Sequence, residues 1–244
     1  MKTFVGLLAA ILAVVLAQSP RNATSLSAGE TTHGPDVPPV AANAMDDEFN
    51  DSAFNSSKWT WVNQNGSSVS ETGKGYLEFV GVTQVSTTPA IFQALPSPPY
   101  KFTTHLACGG AEAGAGSLGC GIELRESATN KIELLNIYPN GSNGTTFNTS
   151  VYTLTSDVVH SGGAVVFGDV TWPCGNAGYF RVGRSGSSLT FEVSCDGAPD
   201  SFWNLGTSAL TDHFTTAPDQ IAIEADTVVS DSAYGIFYWF RRTT

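Results

Sequence analysis

Three groups of residues in this 244-residue sequence carry side chains able to hold or act on a ligand. The first is charged and lies in two short alternating runs, GIELRES and KIELLNIY. A five-residue loop at Glu126–Asn130 would join them as a hairpin, with Ile122 facing Leu134 and Leu124 facing Ile132 on one side. Glu123 then faces Glu133, and Arg125 faces Lys131, on the side that alternation assigns to solvent. Extending the pairing to the run YKFTTHLAC sets His105 opposite Glu123. Directly opposed carboxylates repel unless a cation or donor lies near, and Arg125 and Lys131 stand diagonal to them. Two readings follow. One is a self-satisfied surface ion network. The other is a polar groove, with Glu123 and Glu133 accepting from sugar hydroxyls and His105 and Arg125 donating to them. A carboxylate pair on neighbouring strands also has the general geometry used in retaining glycoside hydrolysis.

The second group is aromatic. Trp172, just before Pro173, and Trp203, after the turn-forming Gly197–Asp200, are expected at the surface, where an indole face can stack on a sugar ring. Trp59, Trp61 and Trp239 read as core. The third group is acidic: Asp46, Asp47, Glu48 and Asp51 have the oxygens to hold a structural Ca2+. The run is not an EF-hand and lacks spaced turn glycines, so the competing reading is a solvated acidic entry to the first strand. No G-x-S-x-G, H-E-x-x-H or phosphate loop is present.

These residues must be positioned by strands. From Met45 onward the pattern is of short runs with period two, separated by Gly, Asn, Ser and Pro, with no amphipathic helix. Eleven or more such runs without helical crossovers predict an antiparallel sandwich or barrel. In YFRVGR–SG–SLTFEVS a turn at Ser185-Gly186 would pair Phe180 with Phe191 and Val182 with Leu189. The cysteines follow from these registers. Leu106 opposite Ile122 brings Cys108 opposite Cys120, and Cys195 falls opposite Asn176, two residues from Cys174. The expected bridges are therefore Cys108–Cys120 and Cys174–Cys195.

Only 14% of residues are charged and the net charge is −11, so no basic stripe exists to bind nucleic acid or an anionic membrane surface. Lys2 followed by the apolar run Phe4–Ala17 predicts a cleaved leader over 1–17, too short to span a bilayer. Residues 18–44 read as a flexible Ser/Thr/Pro-rich linker, and 45–244 as the folded domain. Seven N-x-S/T sequons, at Asn22, Asn50, Asn55, Asn65, Asn140, Asn143 and Asn148, predict a secreted glycoprotein. Asn-rich loops without glycans are the alternative.

The order of segments resembles concanavalin A-like (laminin-G-like) jelly-roll domains over roughly residues 46 to 243. The resemblance is carried by DEFNDSAFNSSKWTWVN with the following YLEF strand, by ALPSPPYKFTTHL, GIELRESATNKIELL and FRVGRSGSSLTFEVSCDG, and by the closing YGIFYWFRRT. It implies an all-β, two-sheet antiparallel sandwich whose first and last strands pair. Lectins, carbohydrate-binding modules, glycan hydrolases and coat modules share that fold, so fold alone does not assign an activity. Several such domains bind Ca2+. Jelly-roll glycanases resemble one another in an E-x-D-x-E or E-x-D-x-x-E strand. Here Glu224-Ala225-Asp226 matches its start, but Val228 and Val229 stand where the second Glu belongs. Tyr238 also stands before Trp239, where an acidic residue is frequent in the family. The expectation is therefore a non-catalytic, lectin-like partner of glycans. The alternative is a self-assembling subunit of an extracellular coat, filament or matrix, and a glycan hydrolase comes third.

Overall fold

Alternating apolar residues build two antiparallel sheets of seven strands each. The computed structural model describes residues 43–64, 67–71, 75–82, 88–110, 118–126, 130–138, 148–154, 164–227 and 233–243, all within one compact unit, His33–Thr244. The first sheet runs in the order β1 (Thr60–Val62), β4 (Ala90–Ala94), β13 (Gln220–Thr227), β6 (Leu118–Glu126), β7 (Asn130–Tyr138), β8 (Asn148–Leu154), β9 (Ala164–Thr171). The second runs β12 (Trp203–Ala209), β11 (Ser188–Ser194), β10 (Ala177–Ser185), β5 (Tyr100–Gly110), β14 (Ala233–Thr243), β3 (Leu77–Val82), β2 (Ser68–Glu71). Among the described residues the one helical turn is Leu210–Asp212, and no helix is long and apolar enough to cross a membrane.

The inner faces of the two sheets meet in one core that includes Ile122, Leu134, Ile223, Phe102, Phe180 and Phe240, all fully buried. Each such side chain contributes about 1.5–3 kcal/mol by leaving water. Phe102 stacks on Phe240 at 5.4 Å between ring centroids, and Phe79 meets Phe237 edge-on at 5.7 Å. The N-terminal segment is strapped to the last strand by an isolated β-bridge between Asp47 and Phe240, whereas the first strand, β1, pairs with β4 in the other sheet, so the expected pairing of first and last strands is not formed.

The β6–β7 hairpin has the expected register: Ile122 faces Leu134, Glu123 faces Glu133 and Arg125 faces Lys131. The β10–β11 hairpin is shifted by two residues from expectation. Its two-residue turn is Gly186-Ser187, so Phe180 pairs with Val193 and Val182 with Phe191. Gly186 has φ +59°, the left-handed value a tight hairpin turn requires at its first position, and Ser185 is paired in the ladder instead. A two-residue slip leaves every side chain on its expected face.

A larger correction concerns β5 and β6. They do not pair; β5 lies between β10 and β14 in the second sheet, and β6 lies between β13 and β7 in the first. The Cys108–Cys120 bridge forms as expected, but it links the two sheets rather than two neighbours in one, with Cα atoms 5.8 Å apart. Cys174–Cys195 also forms, with Cα atoms 5.4 Å apart, just past the last pair of the β10–β11 ladder, Tyr179 and Ser194. The leader expected over 1–17, nearly all of the expected linker, and Asn22, Asn65, Asn140, Asn143, Val228 and Val229 lie outside the described residues.

Candidate functional site

Alternation turns Ile122 and Leu124 of β6 into the core, so Glu123 and Arg125 project from the opposite, outer face of the first sheet. Lys131 and Glu133 of β7 project from the same face, opposite Arg125 and Glu123. On the other side of β6 lies β13, where Ala222 faces Glu123 and Glu224 faces Gly121. Three central strands thus bring Glu123, Glu133 and Glu224 together, with one carboxylate oxygen from each within 4.8 Å of the others. Glu224, the first residue of the incomplete glycanase-like run, joins a pair that sequence reading had kept separate.

The outer face was expected to be solvated, and in this the structure differs. Glu123, Glu133 and Glu224 are fully buried, and Arg125 and Lys131 are 1% exposed. Buried charge needs compensation. Arg125 Nη1 donates to Glu123 Oε1 at 2.7 Å. Lys131 Nζ contacts Glu133 and lies 3.5 Å from Glu123 Oε2 and 3.7 Å from Glu224 Oε2. One ammonium therefore serves three carboxyl groups.

Burial alone would raise the Glu123 carboxyl, but the Arg125 guanidinium and the Lys131 ammonium outweigh it and hold it below the usual carboxylate range. Burial likewise works against the Lys131 ammonium, and Glu133, Glu123 and Glu224 overcome it, pushing Lys131 above an ordinary lysine. Three converging carboxylates suit a divalent cation, but here Lys131 supplies the positive charge from within.

Gly121 stands beside Glu224 on this face, and a Cβ there would fall 2.1 Å from the Leu134 carbonyl oxygen. The close approach of β6 to β7 needs this glycine. The Leu135 side chain fills the remaining space beside it, 2.7 Å from where that Cβ would lie. Tyr152 of β8 faces Glu133 and extends the polar row to a fourth strand.

His105 is not part of this group. It projects from the outer face of the second sheet, facing Tyr179 and Trp239 across the ladders. Its ring is sandwiched between Tyr179 at 4.2 Å and Tyr238 at 4.5 Å, and burial pulls its pKa down to about 4. The register shift between Phe237 and Trp239 is what lets Tyr238 and Trp239 both flank it.

The two tryptophans expected at the surface divide. Trp203 is 49% exposed, whereas Trp172 is buried at 5%, with its Nε1 donating to the Ala177 carbonyl. The acidic N-terminal run is taken up by protein donors. Asp46 accepts from the Arg242 and Asn43 amides. Asp47 accepts from Trp59 Nε1 and the Phe49 amide. Glu48 receives both Nε and Nη2 of Arg241, and Asp51 caps the Ala53 amide. Asp46 and Asp47 are thus used to strap the N-terminal segment down and Asp51 to cap an exposed turn, and among the described residues the acidic groups that converge as ligands do are Glu123, Glu133 and Glu224. Of the described sequons, Asn50 is exposed, Asn55 accepts from the Ser57 hydroxyl at 2.7 Å in a turn, and Asn148 opens β8.

No protein-family model matches the chain, and no curated protein matches it. Solved structures do. A Bacteroides ovatus protein described as xyloglucan PUL GH43B superposes with a TM-score of 0.61 and 16% identity, over 86% of this chain and 41% of its own. A GH43 protein from Bacillus licheniformis gives 0.57 at 14% identity, over 85% of this chain and 41% of its own. A glycosyl hydrolase family 16 protein from Mycobacterium smegmatis gives 0.54 at 12% identity, over 82% of this chain and 99% of its own. The fold is the concanavalin A-like jelly roll. The chain spans well under half the length of the GH43 proteins and nearly all of the family 16 protein. At these identities the likeness is one of fold.

Proposed function

We propose that this is a secreted, N-glycosylated, non-catalytic carbohydrate-binding protein whose sugar site is the outer face of the first sheet around Glu123, Glu133 and Glu224. The observation that carries the reading is the convergence of those three carboxylates with Arg125 and Lys131 on adjoining strands. Ionised carboxylates accept from sugar hydroxyls, and the two cations donate to them. The descriptions of the GH43 and family 16 neighbours add support for a carbohydrate ligand.

Binding is favoured over hydrolysis by the electrostatics. A retaining hydrolase needs carboxyls about 5–5.5 Å apart, one of them kept protonated as the general acid. Here carboxylate oxygens of the three residues lie within 4.8 Å of one another, but Lys131 lies against all three, and a cation favours the charged form.

Calorimetric titration with xyloglucan and xylan oligosaccharides tests the reading. Wild type is expected to bind, and Glu123→Gln to weaken binding about tenfold with no reducing sugar released by either protein. Unchanged affinity in Glu123→Gln would remove the face as the site. A second reading, an assembling coat or matrix subunit, draws on the exposed Val165 and Trp203 on β9 and β12, the edge strands of the two sheets. Light scattering behind size exclusion separates the two: a monomer at all concentrations favours the binder, concentration-dependent polymers the subunit.

A further inference from the structure

We propose that Trp203 is a second, separate sugar-stacking platform at the open edge of the second sheet; this rests on the carbohydrate-binding reading. Trp203 opens β12, the edge strand of the sheet opposite to the one that bears the carboxylates. In the ladder it faces Val193, whose side chain is fully buried, so Trp203 belongs to the inner side of the sheet at the point where the sandwich stops. The register shift in this ladder leaves Leu205 as an extra residue between Asn204 and Gly206, and such a bulge re-aims the residues beside it. The result is an indole that is 49% exposed.

The exposed ring is also held in place. It meets Trp172 edge-on, 6.1 Å between centroids and 68° between planes. Trp172 is anchored in turn by its hydrogen bond to Ala177 and by its seat over Gly178, where a Cβ would fall 2.4 Å from the indole. Two residues after Trp172, the Cys174–Cys195 bridge ties this loop to the end of β11. A platform fixed in this way loses little side-chain entropy when a ligand lands on it.

The chemistry around the ring selects the ligand. Asn204 and Asp200, close to Trp203 in the chain, are both exposed, while Leu205 is partly buried against the core. One exposed indole face beside exposed polar residues offers little of the contiguous apolar area that a lipid needs. It fits a sugar ring, apolar on its C–H face and hydroxylated around its edge. The platform and the carboxylate face lie on different sheets, so two sites could engage one polysaccharide or two.

The test uses the secreted, disulfide-bonded protein and soluble xyloglucan and xylan as probes. Limited N-bromosuccinimide oxidation read by peptide mass spectrometry is expected to modify Trp203 first, and saturating polysaccharide to slow that modification at least fivefold. Trp203→Ala is expected to weaken binding about tenfold, while Trp203→Phe, which keeps a flat ring, stays within threefold of wild type. Protection with unchanged Glu123→Gln affinity supports the platform and removes the carboxylate face. Unprotected Trp203 with full affinity in Trp203→Ala overturns the platform, and the face then stands or falls on Glu123→Gln alone. No binding of either polysaccharide by wild type overturns both.

Discussion

The outer faces of the two sheets are built from the same alternating pattern and solve opposite problems. On the first sheet, Glu123, Glu133, Glu224, Arg125 and Lys131 are buried with their charges, and each depends on a partner of opposite sign. On the second, His105 is set between Tyr179 and Tyr238 and is kept neutral by burial, so ring packing replaces ion pairing. A buried charge cluster is costly to assemble unless its members compensate one another. A neutral aromatic stack contributes to packing and needs no ligand. The difference teaches that outward position in a strand specifies neither solvent nor function. The chemistry of the cross-strand neighbours does.

The largest expected effect comes from the charged face. Lys131→Met leaves three buried carboxylates with Arg125 alone and is expected to cost about 3–5 kcal/mol in urea unfolding. Combining it with Glu133→Gln should recover part of that loss, because one uncompensated charge goes with the cation. If Lys131→Met alone leaves the unfolding midpoint unchanged, the charges are not buried as described and the contrast between the faces fails.

The aromatic face responds to pH instead. The folded pKa of His105 lies near 4, below the ordinary 6.5, so the folded state resists protonation more than the unfolded state does. Stability from His105 is present above pH 6.5 and is lost as pH falls towards 4, by roughly 3–4 kcal/mol in all. His105→Phe keeps the ring stack and should flatten the unfolding profile between pH 6.5 and 4. A profile as steep as wild type would show that the histidine is not held neutral.

The smallest effect lies at the end of β6, where Glu126 closes the charged strand onto a turn. Its carboxylate accepts from the Thr215 and Thr216 hydroxyls and amides and from Asn130, which hold its pKa down at about 2. That contribution is present above about pH 4.5 and is lost as pH falls towards 2. Glu126→Gln should lower the melting temperature less than Lys131→Met does, with the deficit vanishing near pH 2. A deficit that persists there would assign the effect to packing rather than charge.

Local register was legible in the sequence and long-range neighbours were not. The β6–β7 hairpin could be read because a short loop and two opposed charge pairs leave one alignment that keeps Ile122, Leu124, Ile132 and Leu134 together. The β10–β11 turn was placed one residue early, since the Ser185-Gly186-Ser187 run offers two adjacent two-residue turns that preserve the faces. The pairing of β5 with β6 failed because the chain crosses from one sheet to the other between these two strands, and the bridge from Cys108 to Cys120 is equally reachable across the layers. With it fell His105 as a partner of Glu123. Glu224 was missed as their neighbour because β13 enters between β4 and β6 from far along the chain, a pairing no local pattern encodes. Burial of the charged face was also invisible, since alternation separates two faces without saying what covers either.

The central claim is that the carboxylate face receives a sugar. Calorimetric titration of the protein with xyloglucan, wild type against a Glu123→Gln, Glu224→Gln double variant, tests it most directly. The account predicts that wild type binds and that the double variant, folded by circular dichroism, binds at least tenfold more weakly. Equal affinity in the two proteins, or no binding by wild type, would contradict it and leave the buried cluster a structural one.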